Sequence, residues 1–184
     1  MSNIAAVALR GLLVVSSAIV LGLSVSLAKQ QVIGSPPPET SFFSFAGAFG
    51  LIVSAIAILA IFVEKVPRVV VMAADALSSL FFLAGAIALT VALKSVPSCT
   101  SSSDEARGMR YLNKLLNGGC KNVDGSPYCP NAGSDTKHFD SYTSGRCQQV
   151  QADFVFGYAA FVFGVAAVVV TLLAHRRGAT TTYV

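Results

Sequence analysis

Charge is the scarcest commodity in this chain. Asp, Glu, Lys and Arg make up 12% of its 184 residues, against about 25% in ordinary soluble domains. With 54% of residues hydrophobic, a water-soluble globule of this length is excluded as the first hypothesis. Chemical signatures are absent too. There is no Gly-rich phosphate loop, no zincin motif and no nucleophile elbow, and both histidines, His138 and His175, lie outside the apolar runs. An enzyme is not expected, nor a cofactor, and nothing points to nucleic acid as a partner.

What the chain has instead is four apolar runs, Ile4–Ala28, Phe42–Val63, Val69–Leu93 and Phe154–Ala174. Each reaches the roughly 20 residues that a helix needs to cross a bilayer. A span must satisfy its own backbone hydrogen bonds, so these are helices rather than lone strands. The expected fold is an all-α membrane protein, a four-helix transmembrane bundle over residues 1–174. An extracellular loop over about 94–153 joins helices 3 and 4, and residues 175–184 form a short cytoplasmic tail. "KQQVIGSPPPETS" is a Pro-rich linker between the first two runs, and Glu64–Arg68 makes the second and third an antiparallel hairpin. Ser26-Leu27-Ala28 has the small residues of a signal-peptidase site. No Lys or Arg precedes the first run, however, Arg10 interrupts it, and it is longer than a signal core, so it is expected to remain as a helix.

Lys65, Arg68, Arg176 and Arg177, with Arg10 near the same end, mark that side as cytoplasmic under the positive-inside rule. The four cysteines, Cys99, Cys120, Cys129 and Cys147, all fall in the long loop. An even number in a small polar excursion indicates two disulfides, with three pairings open. Zinc is the weaker reading, because no Cys-x-x-Cys knuckle is present and His138 is the only nearby imidazole. "SSDEARGMRYLNKLLNGG" predicts one short helix: Ser102 and Glu105 fit a capping box, Met109, Leu112 and Leu116 share a face, and Gly118 or Gly119 ends it.

Helices associate in lipid by close packing of small residues. The fourth run carries Gly157, Ala160, Gly164, Ala167, Thr171 and Ala174 at helical spacing, leaving Phe154, Phe161 and Val168 to face lipid. The second offers Gly47, Gly50, Ser54 and Ala57, and the third Ala74, Ser78, Gly85, Ala88 and Ala92. Two charges interrupt the runs. Asp75 stands in "VVVMAADALSSLFFLAG", where a carboxylate at mid-membrane costs about 2.5 kcal/mol or more. Arg10 lies at the same depth, about six residues in from its end. Either the two form an intramembrane pair, or Arg10 snorkels to the headgroups while Asp75 is neutral or bonded to Ser78 or Ser79. Thr182, Tyr183 and Val184 match a loose carboxy-terminal peptide-ligand pattern, a three-residue match that carries little weight.

"ADALSSLFFLAGAIALTVAL" with the following "PSC", and "SGRCQQVQADFVFGY" at the entry to the fourth run, resemble the MARVEL-domain proteins, and within them the fungal non-classical export protein type. The resemblance implies a Cys99–Cys147 disulfide, leaving Cys120 with Cys129, although the inner cysteines and the loop length depart from the family's short loop. It also implies a non-catalytic plasma-membrane protein with both termini cytoplasmic. Such a protein organises eisosome-type microdomains, responds to sphingolipid supply or assists export of leaderless proteins. Its expected partners are membrane lipids such as sphingolipid or sterol, a second copy, or other membrane proteins. Two other readings remain. One is a transporter or proton-conducting subunit using Asp75. The other is a tetraspanin-like adaptor, against which the missing Cys-Cys-Gly motif counts strongly.

Overall fold

In the computed structural model, residues 3–62, 67–123, 126–130 and 136–180 are described. The apolar runs form α1 (Asn3–Lys29), α2 (Pro38–Phe62), α3 (Arg68–Leu93) and the second half of α5 (Thr136–Thr180). Between α3 and α5 lie the short helix α4 (Asp104–Leu112) and a two-stranded antiparallel hairpin, β1 (Lys121–Val123) with β2 (Ser126–Tyr128). Four helices, α1, α2, α3 and α5, are long and apolar enough to cross a membrane. Glu64, Lys65 and the Thr182-Tyr183-Val184 terminus lie outside the described residues, as do the side chains of Arg68, Arg176 and Arg177.

α2 begins at Pro38 rather than Phe42. Proline suits the first helical position, where its missing N–H would have had no partner, and Glu39 adds a negative charge to the positive end of the helix. The larger departure is α5, one helix of 45 residues and so about 68 Å long, more than twice the hydrocarbon thickness of about 30 Å. Residues 136–153, expected as loop, are its first two fifths. Their polarity hid a helical period: Thr143, Arg146, Cys147, Val150 and Asp153 are all buried, and the same stripe continues into Gly157 and Ala160. The period is 3.6 throughout; only the chemistry of the buried face changes at Phe154.

α4 also differs in detail. Ser103, not Ser102, caps it, its hydroxyl accepting from the Ala106 amide. Its buried residues are Ala106 and Arg110, whereas Met109 and Leu112 are exposed and Leu116 is buried beyond the helix. The Met-Leu-Leu face therefore does not exist as a packing surface. A buried arginine holds the helix in its place.

α1 packs on α2 and α5, and α3 packs on the same two. Going round the bundle the order is α1, α2, α3, α5, so α1 faces α3 across one diagonal and α2 faces α5 across the other. Small residues set the spacing. Ser54, Ala57, Ala160 and Ala167 are buried, and so are Gly47, Gly50, Gly85, Gly157 and Gly164. Phe43 of α2 fills the centre of its half of the bundle. Its ring meets Phe82 of α3 edge-on at 6.4 Å and occupies the space where side chains at Gly85 and Gly157 would lie. Phe154 and Phe161, expected to face lipid, are half-buried against this core, and the outward positions of α5 are Val155, Val162, Val165 and Val169.

Replacing Gly85 or Gly157 by Ala is expected to destabilise the folded bundle by about 1–3 kcal/mol, because the added methyl meets the Phe43 ring. Gly11→Ala and Gly22→Ala, where nothing lies within 4 Å, serve as controls without a clash in the same detergent-solubilised thermal unfolding series and should leave stability unchanged or raise it by up to about 1 kcal/mol.

Candidate functional site

Arg10 and Asp75 each lie seven residues past the first residue of their helices, and the structure brings them together across the α1–α3 diagonal. Arg10 Nη1 and Nη2 donate to Asp75 Oδ1 and Oδ2 at 2.5 and 2.6 Å. The planar guanidinium matches the carboxylate in a two-pronged arrangement that lysine could not make. Both residues are buried, at 6% and 3% exposure. In a bilayer interior, removing one partner leaves an unmatched charge, which is costlier than the pair itself. Ser79 donates its hydroxyl to the Asp75 backbone carbonyl at 2.7 Å, not to the carboxylate. Asp75 thus has both oxygens committed to a single cation.

Arg10 opens a line that apolar patterning does not reveal. The buried positions of α1 are Arg10, Leu13, Ser16, Ser17, Val20, Ser24 and Leu27. Leu13, Val20 and Leu27 repeat every seven residues as an apolar rail, and Arg10, Ser17 and Ser24 repeat every seven as a polar one. Each polar position meets a different helix. Arg10 reaches α3, and the Ser17 hydroxyl lies 2.8 Å from where a side chain at Gly50 of α2 would start. Ser24 donates to Asp153 Oδ2 of α5 at 2.6 Å. Sequence reasoning placed Asp153 at the end of a loop. The signal that could have found it is its spacing, four residues before Gly157 on the small-residue stripe.

At the loop end the bundle is fastened by arginines and sulfur. Arg146, 2% exposed, donates from Nε and Nη2 to the Leu115 carbonyl at 3.1 and 2.7 Å. Its Nη1 reaches the Leu27 carbonyl at 3.4 Å and Gln30 Oε1 at 3.2 Å. One side chain of α5 thereby holds the end of α1 and the chain after α4. Arg110, 1% exposed, donates to the Ser98 and Ser101 carbonyls at 2.9 Å and pairs with Asp140 of α5. Asn113 Nδ2 donates to the Ala92 carbonyl at 2.8 Å, closing the open end of α3. Cys99 is bonded to Cys147, and Cys120 to Cys129 across the base of the β hairpin. Among the described residues no cluster of His, Cys, Asp or Glu is arranged to hold a metal ion.

This architecture, four apolar helices clasped by small residues with a loop between the last two, matches a known domain. The family model for MARVEL, the membrane-associating domain, covers residues 3–170. The chain belongs to the MARVEL family. Comparison with curated proteins and with solved structures finds no match. As a MARVEL domain it is a multi-pass membrane protein with a membrane-associated, membrane-organising role. Within α1 and α3 the buried charges, Arg10 and Asp75, face inward as a pair, and the helices present Val, Leu, Ile and Phe outward, as a lipid-embedded organiser requires.

Two outcomes test the clasp and the loop. Asp75→Asn alone is expected to destabilise the MARVEL bundle by about 3–5 kcal/mol by stranding Arg10. In an Arg10→Gln background the same change should cost much less, and equal losses in both backgrounds would show that the two are uncoupled. For the sulfurs, Cys99→Ser opens a ring closed over 48 residues and Cys120→Ser one closed over 9. Chain entropy alone makes these worth about 4 and 2.6 kcal/mol, so Cys99→Ser should lower the melting temperature further.

Proposed function

We propose that this MARVEL protein is a non-enzymatic organiser of plasma-membrane microdomains of the furrow-like, eisosome type found in fungi. In this reading both termini are cytoplasmic and the disulfide-bearing segment between α3 and α5 is outside. The observation that carries it is the commitment of Asp75. With both carboxylate oxygens bound to Arg10, the one acid within the α3 span has no free capacity to relay a proton or hold an ion. What the spans present outward is hydrocarbon, with Val15, Ile52, Ile56, Leu59, Leu80 and Val162 all more than half or about half exposed. A surface of that kind acts on lipids and on other membrane proteins, and sphingolipid or sterol is the class of partner that this reading favours. A second copy of the chain is another. A response to sphingolipid supply and support for export of leaderless proteins are finer versions of the same reading, carried by the resemblance of the third and fourth helices to the fungal export type.

The test is imaging of the fluorescently tagged protein in its own cells, with and without a block in sphingolipid synthesis. Steady plasma-membrane patches that disperse under the block are the expected result. A uniform distribution that does not respond would overturn the organiser reading. Labelling of Asp75 by a carboxylate-directed inhibitor, with loss of proton flux, would favour the transporter instead.

A further inference from the structure

At the loop end of the bundle a cleft of about 920 Å³ opens where α2 starts and α3 finishes. Its floor includes Ala92 and Ser95 at the end of α3, one wall is the linker and first turn of α2, and the other is the chain from Tyr111 to Cys120. Both walls are built in advance of any ligand. The linker is stiffened by Pro36, Pro37 and Pro38 and is tied to the opposite wall by the Val32 and Ile33 amides, which donate to the Gly118 carbonyl at 2.7 and 3.3 Å. Gly119, at φ +93°, lets the two backbones approach so closely that a side chain there would collide with the Ile33 carbonyl. The second wall is further held by Asn113 on the end of α3 and by Cys120 in its disulfide.

Each wall carries one charge, Glu39 from the first turn of α2 and Lys114 from the chain after α4. Neither has an ion-pair partner among the described residues. The cleft lies at the boundary between the apolar spans and the polar segment, and one turn below Glu39 the surface becomes aromatic. Phe42, Phe45 and Phe49 of α2 surround Phe81 of α3 with ring centroids 6.0, 5.6 and 5.4 Å away, and Phe42 and Phe45 are exposed. A cation and an anion in a half-polar recess, above an outward-facing aromatic track, fit a ligand with a phosphate and an ammonium in its head and an acyl chain below.

We propose that this cleft binds the headgroup of a zwitterionic phospholipid from the leaflet on the loop side. Lys114 meets the phosphate, Glu39 meets the ammonium, and one acyl chain lies along the Phe42–Phe81 seam. The site depends on insertion in the membrane and not on the microdomain reading, so it stands or falls separately from patch formation. An anionic headgroup would set its second charge or its hydroxyls against Glu39, and a neutral one would leave Lys114 unmatched; selection for the zwitterion follows from having both residues.

The experiment uses the full chain, with both disulfides intact, in nanodiscs containing equal amounts of phosphatidylcholine and phosphatidylglycerol with identical acyl chains. Lipid retained on the protein is read by native mass spectrometry. Phosphatidylcholine should be retained in preference, and Lys114→Glu and Glu39→Lys should each lower that preference about fivefold, the scale of a single solvent-accessible charge contact. The double charge reversal should recover it, which separates recognition from damage to the fold. Retention of the two lipids in their bulk ratio, or unchanged retention in both single variants, overturns the site. Free phosphocholine that binds as tightly as the lipid would overturn the assignment to a membrane ligand, and weaker competition by it supports the assignment.

Discussion

A bilayer offers no water to a buried polar group, so every charge that enters the spans must be matched inside the protein. Between α1 and α3 that constraint is met by the two-pronged contact of Arg10 with Asp75. The pair lies on a diagonal, between two helices that otherwise make little contact with each other. It therefore draws α1 and α3 toward the axis, where α2 and α5 close around them. Hydrocarbon attraction cannot supply that inward pull, because lipid tails compete for the same apolar surface.

The other diagonal is settled by volume rather than charge. Phe43 reaches from α2 to α5 through the space that Gly85 and Gly157 leave open. A large ring opposite two residues without side chains gives one well-defined crossing, since a shift of a turn would set the ring against larger side chains such as Leu89 of α3 or Phe161 of α5. Toward the loop end, Ser24 with Asp153 continues the polar line from α1 to α5, and Arg146 carries it out of the bundle to the Leu115 carbonyl. The ends of the bundle are thus secured by directional contacts, and its middle by packing.

The loop is best understood as an extension of α5 rather than as a separate excursion. Because α5 continues far beyond the hydrocarbon, it offers a rigid post on which the segment after α3 is hung by Arg110 with Asp140, by Arg146 and by the Cys99–Cys147 bond. Small polar segments seldom hold a fold by burial alone. Here two buried arginines and two disulfides replace a core, and they position the walls of the cleft over the α2–α3 seam.

Four spans, their order and the short connection between the second and third were legible in the sequence, because crossing hydrocarbon imposes a length and an apolarity that appear residue by residue. The equal depth of Arg10 and Asp75 could be counted from the helix starts, and the small-residue stripes followed from their spacing. Which helices are neighbours and which face each other diagonally could not be counted, because apolar outer faces are chemically alike and lipid accepts any of them. The first two fifths of α5 escaped notice for a related reason: its buried face is polar, and a polar face becomes recognisable as interior only when its partners are in place. Ser24, Asp153, Arg110 and Arg146 belong to that class. Local chemistry determined that this chain enters a membrane and how many times; the tertiary structure decided where its charges meet, since pairing depends on distances between residues far apart in the chain.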